Sequence, residues 1–386
     1  MMADWKELTV GDLCDTISDT YHRNDEVVVL VNTSDVLGGK ILNHQPVENK
    51  NLKGQFKKTF KKDDILYSEI RPANKRYAYV DFAGTERYIA STKLMVLRPK
   101  KDRVLPRFLF AFLSSNHVLA KLQHLAETRS GTFPQITFSS ELAPMPIALP
   151  DFNTQEKIVG MLSSIEGRIQ INNAINKNLQ EQAQALYANM FIQNTSDQWS
   201  EGVLSDVAEI TMGQSPKGDT YNEDGVGTVF FQGRGEFGLR FPTRRLFTTD
   251  PKRMAQSNDV LMSVRAPVGD LNVAYEPCCI GRGLGAIRSK DGHQSFVLYT
   301  VFSLREKLDM FNGEGTVFGS INRDALNSMP IVIPTREEMD RFEDVIAPMD
   351  AAIRNNYGEI CHLEAIRDSL LPRLMSGKLD VSDIDL

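Results

Sequence analysis

The chain has 386 residues, of which 41% are hydrophobic, and its formal net charge at pH 7 is −6. This length and apolar content indicate a globular protein with more than one hydrophobic core. No run approaches the roughly 18 apolar residues that a membrane span requires, and the N-terminus lacks a signal-peptide pattern, so we expect a cytoplasmic protein with no membrane partner. The four cysteines lack C-x-x-C spacing, which favours reduced thiols over a metal site.

The first part of the chain favours a mixed α and β domain. Short β-branched runs predict strands at 27–31, 78–82 and 94–97, and the apolar pattern predicts one helix over 108–122. Positive charge is concentrated here, because residues 53–129 hold 17 Lys and Arg against 7 Asp and Glu. We interpret this charge as a DNA-facing surface, and a solvated basic face is the alternative.

A long heptad pattern follows. Its seam positions, in steps of four and three, are Leu162, Ile165, Ile169, Asn172, Asn176, Leu179, Ala183, Leu186 and Met190. A helix of about 33 residues would be close to 50 Å long, which is on the order of 15 base pairs. The pattern predicts a long helix that packs against another helix.

The second half repeats this organisation. It predicts strands at 229–231, 260–264 and 286–288, a helix over 296–311, and a second heptad segment. The second seam is Phe342, Ile346, Met349, Ile353, Asn356, Ile360, Leu363, Arg367, Leu370 and Leu374. We expect the two long helices to pair, with Asn172 and Asn356 fixing the register unless either faces solvent. Pro348 is expected to open the second helix, and Pro372 to kink it or end it before Ser376 and Gly377.

Sequence landmarks recur at an offset a little under two hundred residues. Trp5, Leu8 and Asp12 return as Trp199, Gly202 and Asp206; segment 64–68 and Pro72 return as 259–263 and Pro267; segment 146–150 returns as 330–334. The second heptad segment is acidic, since residues 335–386 hold 6 Lys and Arg against 12 Asp and Glu. Two related domains favour binding of a two-part target over catalysis, and the acidic tail favours a separate protein-facing surface.

Catalytic motifs are weak in this sequence. The glycines at 213 and 218 have the spacing of a phosphate loop, but Asp219 stands where that loop needs lysine. The run 281–285 lacks the spacing of a dinucleotide-binding fingerprint, and His117 and His124 have no third metal ligand nearby. We therefore expect a non-catalytic protein.

Several segments carry a resemblance to a known family. The C-terminal run 363–379, the motif Gly213-Gln-Ser-Pro216, the run 258–269 and the segment 319–330 resemble the specificity subunit of type I restriction-modification enzymes. The resemblance covers nearly the whole chain. It implies an α+β fold with two similar mixed α/β target recognition domains, separated by two long antiparallel coiled-coil helices in a pseudo-twofold internal repeat. The corresponding boundaries are 1–152, 153–194, 195–334 and 335–386 for domain, helix, domain, and helix with tail.

The resemblance also implies function and partners. Each domain would read one half of a bipartite site on double-stranded DNA, and the helices would set the spacing and dock two methyltransferase (modification) subunits. Restriction subunits would join the complexes that cleave. No cofactor is expected on this chain, because S-adenosylmethionine, ATP and Mg would belong to partner subunits. The alternatives are a self-sufficient DNA-modifying or DNA-cleaving enzyme and a protein scaffold that does not touch DNA.

Candidate DNA contacts follow from side-chain chemistry. Cations near turns reach the DNA backbone without reading sequence. For that role we select Lys57, Lys58, Lys61, Arg71, Lys75 and Arg76 in the first domain, and Arg234, Arg244, Arg245, Arg265 and Arg282 in the second. Gln135, Gln232 and Arg234 are candidates for base contacts, since Gln and Arg can bond two atoms of one base edge. Thr132 and Thr316 lie in matching loops whose backbone could approach phosphate, and ordinary turns are the alternative.

The two halves also differ. Gly213-Gln-Ser-Pro216 has no counterpart near residues 19–25, and Gln155 at the start of the first long helix is matched by Met339 in the second. Base-reading residues therefore cannot be copied from one half to the other by sequence alone.

Overall fold

The computed structural model describes residues 5–50, 52, 54–128, 134–313, 319–381 and 384. The chain forms two compact units, the first comprising residues 1–168 and 362–386 and the second residues 169–361. The boundaries predicted above give each long helix a segment of its own, whereas each compact unit includes part of both long helices. Within the described residues, no helix is both long enough and apolar enough to cross a membrane.

The first unit consists mainly of short strands in two four-stranded sheets. Its strands are β1 (Lys6–Thr9), β2 (Cys14–Ile17), β3 (Val27–Val31), β4 (Val36–Leu37), β5 (Lys40–Ile41), β6 (Pro46–Glu48), β7 (Phe56–Lys58), β8 (Ile65–Ser68), β9 (Tyr77–Tyr79), β10 (Tyr88–Ser91), β11 (Leu94–Pro99) and β12 (Pro146–Leu149). The sheets have the orders β2-β11-β8-β9 and β6-β3-β10-β7, and β1 pairs with β12. The strands predicted at 27–31 and 94–97 are confirmed. The strand predicted at 78–82 is wrong in its bounds, because the ladder ends where Asp63, with φ +73°, turns the partner strand away.

The helices of the first unit are α1 (Val10–Leu13), α2 (Pro106–Leu113), α3 (Asn116–Thr128) and the beginning of α4 (Phe152–Ala188). The single helix predicted over 108–122 is wrong. Ser114 closes α2 by donating its N–H to the Phe110 carbonyl, and the Ser115 hydroxyl accepts from the Val118 N–H at the start of α3. Serine side chains compete with helical backbone bonds, so two adjacent serines separate the helices.

The second unit has the same plan. Its strands are β13 (Ser200–Val203), β14 (Ala208–Met212), β15 (Tyr221–Asn222), β16 (Thr228–Phe231), β17 (Leu246–Thr248), β18 (Met254–Ala255), β19 (Val260–Ser263), β20 (Leu271–Val273), β21 (Cys278–Ile280), β22 (Leu284–Ser289) and β23 (Pro330–Ile333). The sheets have the orders β14-β22-β19-β20 and β15-β17-β16-β21-β18, and β13 pairs with β23. The strands predicted at 229–231 and 260–264 are confirmed to within a residue, and the strand predicted at 286–288 is confirmed as part of the longer β22.

The helices of the second unit are the end of α4, then α5 (Leu204–Val207), α6 (Gln294–Ser303), α7 (Arg305–Asp309), α8 (Arg323–Asn327) and the start of α9 (Arg336–Met375). The single helix predicted over 296–311 is wrong. The Leu304 N–H is shared between the Thr300 and Val301 carbonyls at 3.2 Å each, and the Ser303 hydroxyl donates to the Thr300 carbonyl. These bonds close α6 before α7 begins.

Matching ion pairs hold the central sheet of each unit. Asp64, directly before β8 and 1% exposed, is paired with Arg98 of β11 at 2.7 Å. Asp259, directly before β19 and 3% exposed, is paired with Arg288 of β22 at 2.7 Å. Both arginines bind both carboxylate oxygens, the geometry in which such pairs are strongest. The aspartates are the repeat landmarks of the sequence, so the repeat marks the scaffold of each unit.

The heptad seams face the interior as predicted. In the second unit Ile169, Ala183, Phe342, Ile346 and Ile353 are buried, and burial of such a side chain contributes about 1.5–3 kcal/mol for the larger residues. The helices are antiparallel in this unit, because Tyr187 stacks edge-on with Phe342 while Asn176, earlier in α4, bonds residues later in α9.

The pairing of the seam asparagines differs from the expectation. Asn356 Nδ2 donates to Asn176 Oδ1 at 2.9 Å, and Asn176 Nδ2 donates to the Ile353 carbonyl at 3.3 Å. Asn172 is 1% exposed, and its Nδ2 has no hydrogen-bond partner in the described part of the chain. The repeat offset makes Asn356 the equivalent of Asn172, but equivalent positions of two antiparallel helices need not lie side by side. Asn356 therefore contacts Asn176 instead of Asn172.

Proline has different effects at its two positions in α9. The prediction that Pro348 opens the helix is wrong, because α9 runs unbroken from Arg336 and Pro348 lies exposed in its interior. Because proline has no backbone N–H, one helical hydrogen bond is lost, and the exposed carbonyl one turn earlier can bond water instead. Burial of the neighbouring Phe342 and Ile346 offsets this loss. The helix does end before Ser376 and Gly377, and Gly377 has φ +70°.

Candidate nucleic-acid interface

Three loops of the second unit converge at one end of its two larger sheets. They are the loop after β14 (213–216), the residues after β16 (232–233) and the turn between β21 and β22 (281–283). The Gly213 N–H donates to the Leu284 carbonyl at 2.9 Å, the Gly283 N–H donates to the Gln232 carbonyl at 3.1 Å, and the Arg282 N–H donates to the Ser215 hydroxyl at 3.2 Å. The motif Gly213-Gln-Ser-Pro216 therefore holds a neighbouring turn in place.

Glycine is required for this convergence. A Cβ atom on Gly213 would lie 2.2 Å from the Gly281 carbonyl oxygen, and one on Gly283 would lie 2.7 Å from the Gln232 carbonyl oxygen. Backbone atoms cannot yield to such contacts as a flexible side chain can. The glycines at 281 and 283 thus allow close packing of loops, which agrees with the sequence argument against a dinucleotide fingerprint.

The end of β19 joins the same loops. The Val264 N–H donates to the Gly283 carbonyl at 2.9 Å, and Arg265 forms an isolated antiparallel bridge with Ser320. Arg265 thus lies beside the turn that carries Arg282. We call Gln232, Arg265, Arg282 and Ser320 the second loop cluster.

The predicted residues of the second loop cluster have side chains that the fold does not use. Gln232, Arg265 and Arg282 are exposed, and none makes a side-chain hydrogen bond or ion pair within the described residues. Their donors and acceptors are therefore available to a ligand. Ser320, also exposed, was not selected from the sequence, because a lone serine next to glycine gives no signal of its own.

The other predicted arginines of the second unit are bound to carboxylates. Arg234 pairs with Asp270, Arg244 pairs with Glu276, and Arg245 bonds Glu223 at 3.0 Å and also Glu236. The pKa of Asp270 lies below its usual value: burial acts to raise it, but hydrogen bonds from Arg305 and Arg234 outweigh burial. These arginines stabilise the unit's own loops, so binding of phosphate would have to break existing ion pairs.

The first unit contains a loop cluster with the same backbone connections. The Glu69 N–H donates to the Lys93 carbonyl at 3.1 Å, the Arg71 N–H donates to the Pro134 carbonyl at 3.1 Å, and Ile70 forms an isolated antiparallel bridge with Gln135. We call Glu69, Lys93 and Gln135 the first loop cluster. Lys93 Nζ lies 3.5 Å from Glu69 Oε2 and 3.5 Å from Gln135 Oε1. The sequence singled out only Gln135, because the contact partners of this cluster are 24 to 42 residues apart.

Two of the predicted cations of the first unit serve the fold. Lys58 Nζ donates to the Leu94 carbonyl at 2.8 Å, and burial lowers the pKa of this half-buried lysine. Arg76 donates to the Ser34 carbonyl at 2.9 Å and to the Val36 carbonyl at 3.3 Å.

Four other predicted cations are exposed and form no side-chain hydrogen bond or ion pair among the described residues: Lys57, Lys61, Arg71 and Lys75. Lys61 precedes β8, whereas Arg71 and Lys75 follow its end, so the structure does not gather all four at one place. Arg71 and Lys75 flank one turn with φ +46° and +53°. Left-handed backbone at a residue other than glycine costs about 1–3 kcal/mol and is concentrated at functional sites.

Thr132 and Thr316 lie outside the described residues. Over the ranges that are described, no group of three or more His, Cys, Asp or Glu side chains is arranged to hold a metal ion.

Comparison with known proteins gives consistent matches. The family model described as "Type I restriction modification DNA specificity domain" matches residues 2–181 and again residues 196–364. The HindI specificity subunit of a type I restriction enzyme from Haemophilus influenzae is 29% identical over 464 residues, which cover 98% of this chain and 100% of that protein. A putative MjaX specificity subunit from Methanocaldococcus jannaschii is 29% identical over 82% of this chain and 79% of its own length. The S subunit of a type I restriction-modification system from M. genitalium has the same fold, with a TM-score of 0.52 and 15% identity over 98% of this chain and 97% of that one.

Proposed function

Because this chain belongs to the family of type I restriction-modification DNA specificity subunits, we propose that each of its two units reads one half of a bipartite DNA site. The chain serves DNA sequence recognition in such a system, and catalysis resides on partner subunits. The division into two half-sites, the spacing between them and the docking of partners are the proposed part.

One observation carries this proposal above the others: two loop clusters share a backbone frame and differ in side chains. A protein that reads two unlike half-sites can use the same backbone frame in both units to present side chains to DNA. The side chains themselves must differ between the units to select different bases. Arg265 and Arg282 were predicted above as phosphate contacts, but because they lie with Gln232 in this cluster and their side chains are free, we assign them to base contacts. The free donors of all three side chains suit base edges in the major groove, where bidentate contacts are worth about 1–3 kcal/mol each.

Phosphate contacts fall to other residues. Lys57, Lys61, Arg71 and Lys75 are exposed cations without an ion pair inside the described region, so they can neutralise phosphates without breaking one. Lys58, Arg76, Arg234, Arg244 and Arg245 already have partners and would contribute less. Sequence-independent affinity is thus assigned mainly to the free cations of the first unit.

The long helices are proposed to set the spacing and to dock modification subunits. Helix α4 has 37 residues, and its length of about 55 Å corresponds to roughly 16 base pairs. Ile171 and Ile175, one turn apart on α4, are 53% and 43% exposed. Neighbouring exposed apolar side chains on a helix are suited to a protein partner. The complete complex would contain two modification subunits, which bind S-adenosylmethionine, and restriction subunits that use ATP and Mg where cleavage occurs.

Mapping of methylated bases tests this proposal. The chain and its cognate methyltransferase are produced together and separately in a host without other methylation, and methylated adenines are located across the genome. We expect a split motif, two short specific blocks around an unspecific gap, only when both proteins are present. Methylation that does not depend on the chain, or a single continuous motif, would contradict the proposal.

A further inference from the structure

The internal repeat provides an alignment of the two units within one molecule. Buried residues that build the frame are the same in both copies: Asp64 and Asp259 bind Arg98 and Arg288, and Ser68 and Ser263 bond the backbone of the turn that follows. The backbone bonds of the frame also match, since the Ile136 N–H donates to the Glu69 carbonyl as the Ile321 N–H donates to the Val264 carbonyl. Positions in the two frames can therefore be compared one by one.

At the surface of this common frame the side chains differ. The bridge formed by Arg265 and Ser320 in the second unit is formed by Ile70 and Gln135 in the first. Lys93 in the first unit corresponds to Gly283 in the second. The Lys93 carbonyl accepts from the Glu69 N–H, as the Gly283 carbonyl accepts from the Val264 N–H. The first unit thus places its charged side chains one position away from those of the second.

We propose that Glu69, Lys93 and Gln135 form the base-reading cluster of the first unit, an inference that rests on the proposed function. Within this cluster, Lys93 and Glu69 select a G·C base pair. Lysine donates to the O6 and N7 acceptors of guanine, and glutamate accepts from the N4 amino group of cytosine. Gln135 supplies one further donor and acceptor beside them.

The charge of the cluster favours base edges over phosphate. Lys93 Nζ lies 3.5 Å from a Glu69 carboxylate oxygen, so a phosphate approaching the lysine would also approach a negative charge. A base pair offers both acceptors and donors and can satisfy both groups together. The existing ion pair is weak enough to be replaced, because the Lys93 side chain is 50% exposed and the Glu69 side chain 22% exposed.

The chain offers a matched control for this cluster. Lys101 pairs with Asp63 at 2.6 Å, and their side chains are 63% and 22% exposed. Lys93 precedes β11 and Lys101 follows it, so the two lysines lie at opposite ends of one strand. Lys101→Met removes another exposed lysine that is paired with a carboxylate, at the end of the strand away from the proposed reading surface.

The test is a base-resolved methylation map of the complex with its cognate methyltransferase. We expect Lys93→Met and Glu69→Gln each to lower the preference for G·C at one position of one half-site by about tenfold, while Lys93→Arg keeps it. Arg282→Ala should change only the other half-site, which identifies the half read by the second unit. Lys101→Met should leave both halves unchanged.

Two results would overturn the inference. One is unaltered base preference in Lys93→Met with methylation reduced equally at all sites, which is the behaviour of a phosphate contact. The other is a change in the half-site that Arg282→Ala also changes. The first result leaves the proposed function intact, whereas the second would also contradict the reading of a separate half-site by each unit. The map of the wild-type chain shows independently whether the chain directs a split motif. Assembly of each variant with the methyltransferase is measured alongside, so loss of folding is recognised separately.

Discussion

Replacement of Arg265 and Arg282 by alanine together is expected to weaken target binding by the assembled complex at least 30-fold. Both side chains are exposed, lie in adjoining parts of the second loop cluster and have no partner among the described residues. Each lost contact of this kind costs about 1–3 kcal/mol, and a loss of about 2 kcal/mol in total already gives a factor of 30. Fluorescence anisotropy with a labelled target duplex at fixed salt concentration measures the effect.

The control for this prediction is Arg244→Ala. Arg244 is exposed, as Arg265 and Arg282 are, but it pairs with Glu276. Because its removal breaks only a surface ion pair, we expect a change in DNA affinity of less than about threefold. If Arg244→Ala weakened DNA binding as much as the double variant, the absence of an ion pair would not identify the arginines that contact DNA.

Substitution of Gly213 by alanine is expected to destabilise the second unit and to disorganise the second loop cluster. The new Cβ atom would meet the carbonyl oxygens of Gly281, Ile280 and Leu284 at 2.2, 2.8 and 2.8 Å. Overpacking against backbone costs about 1–3 kcal/mol or more, which corresponds to a fall in melting temperature of roughly 3–10 °C for a unit of this size. Thermal unfolding followed by circular dichroism measures it.

Gly218→Ala is the matched control, since a Cβ atom on Gly218 has no neighbour within 4 Å. The two glycines are five residues apart in the chain, and only Gly213 packs against the turn that carries Arg282. Equal melting temperatures for the two variants would show that close approach of the loops is not what Gly213 provides. A lower melting temperature for Gly213→Ala alone, with poorer discrimination in one half-site, is the expected pattern.

The sequence predicted the scaffold better than the surface. Asp64, Asp259 and most apolar residues of the repeated runs are buried, where residue type is dictated by packing and pairing, so pattern alone placed a strand in the central sheets of both units and both seams. The helix breaks at 114–115 and at Leu304 were missed, because local hydrogen bonds of serine backbone and side chains decide them.

Contacts distant in sequence account for the remaining differences. Composition cannot show that Arg245 binds Glu236 and Glu223 while Arg265 stays free, because the outcome depends on which loop lies opposite each arginine. Lys93 was overlooked for the same reason: its carboxylate and amide neighbours come from two other segments. The partner of Asn356 is Asn176 and not Asn172, because the repeat identifies equivalent positions and does not show which positions of antiparallel helices touch.

The measurement that tests the central claim most directly is an exchange of residues 195–334 for the corresponding segment of another family member, followed by mapping of methylated sites. If each unit reads its own half-site, the block read by the second unit should change to that of the donor protein, and the other block should stay the same. A change in both blocks, or in neither, would contradict the claim that the two units recognise DNA independently.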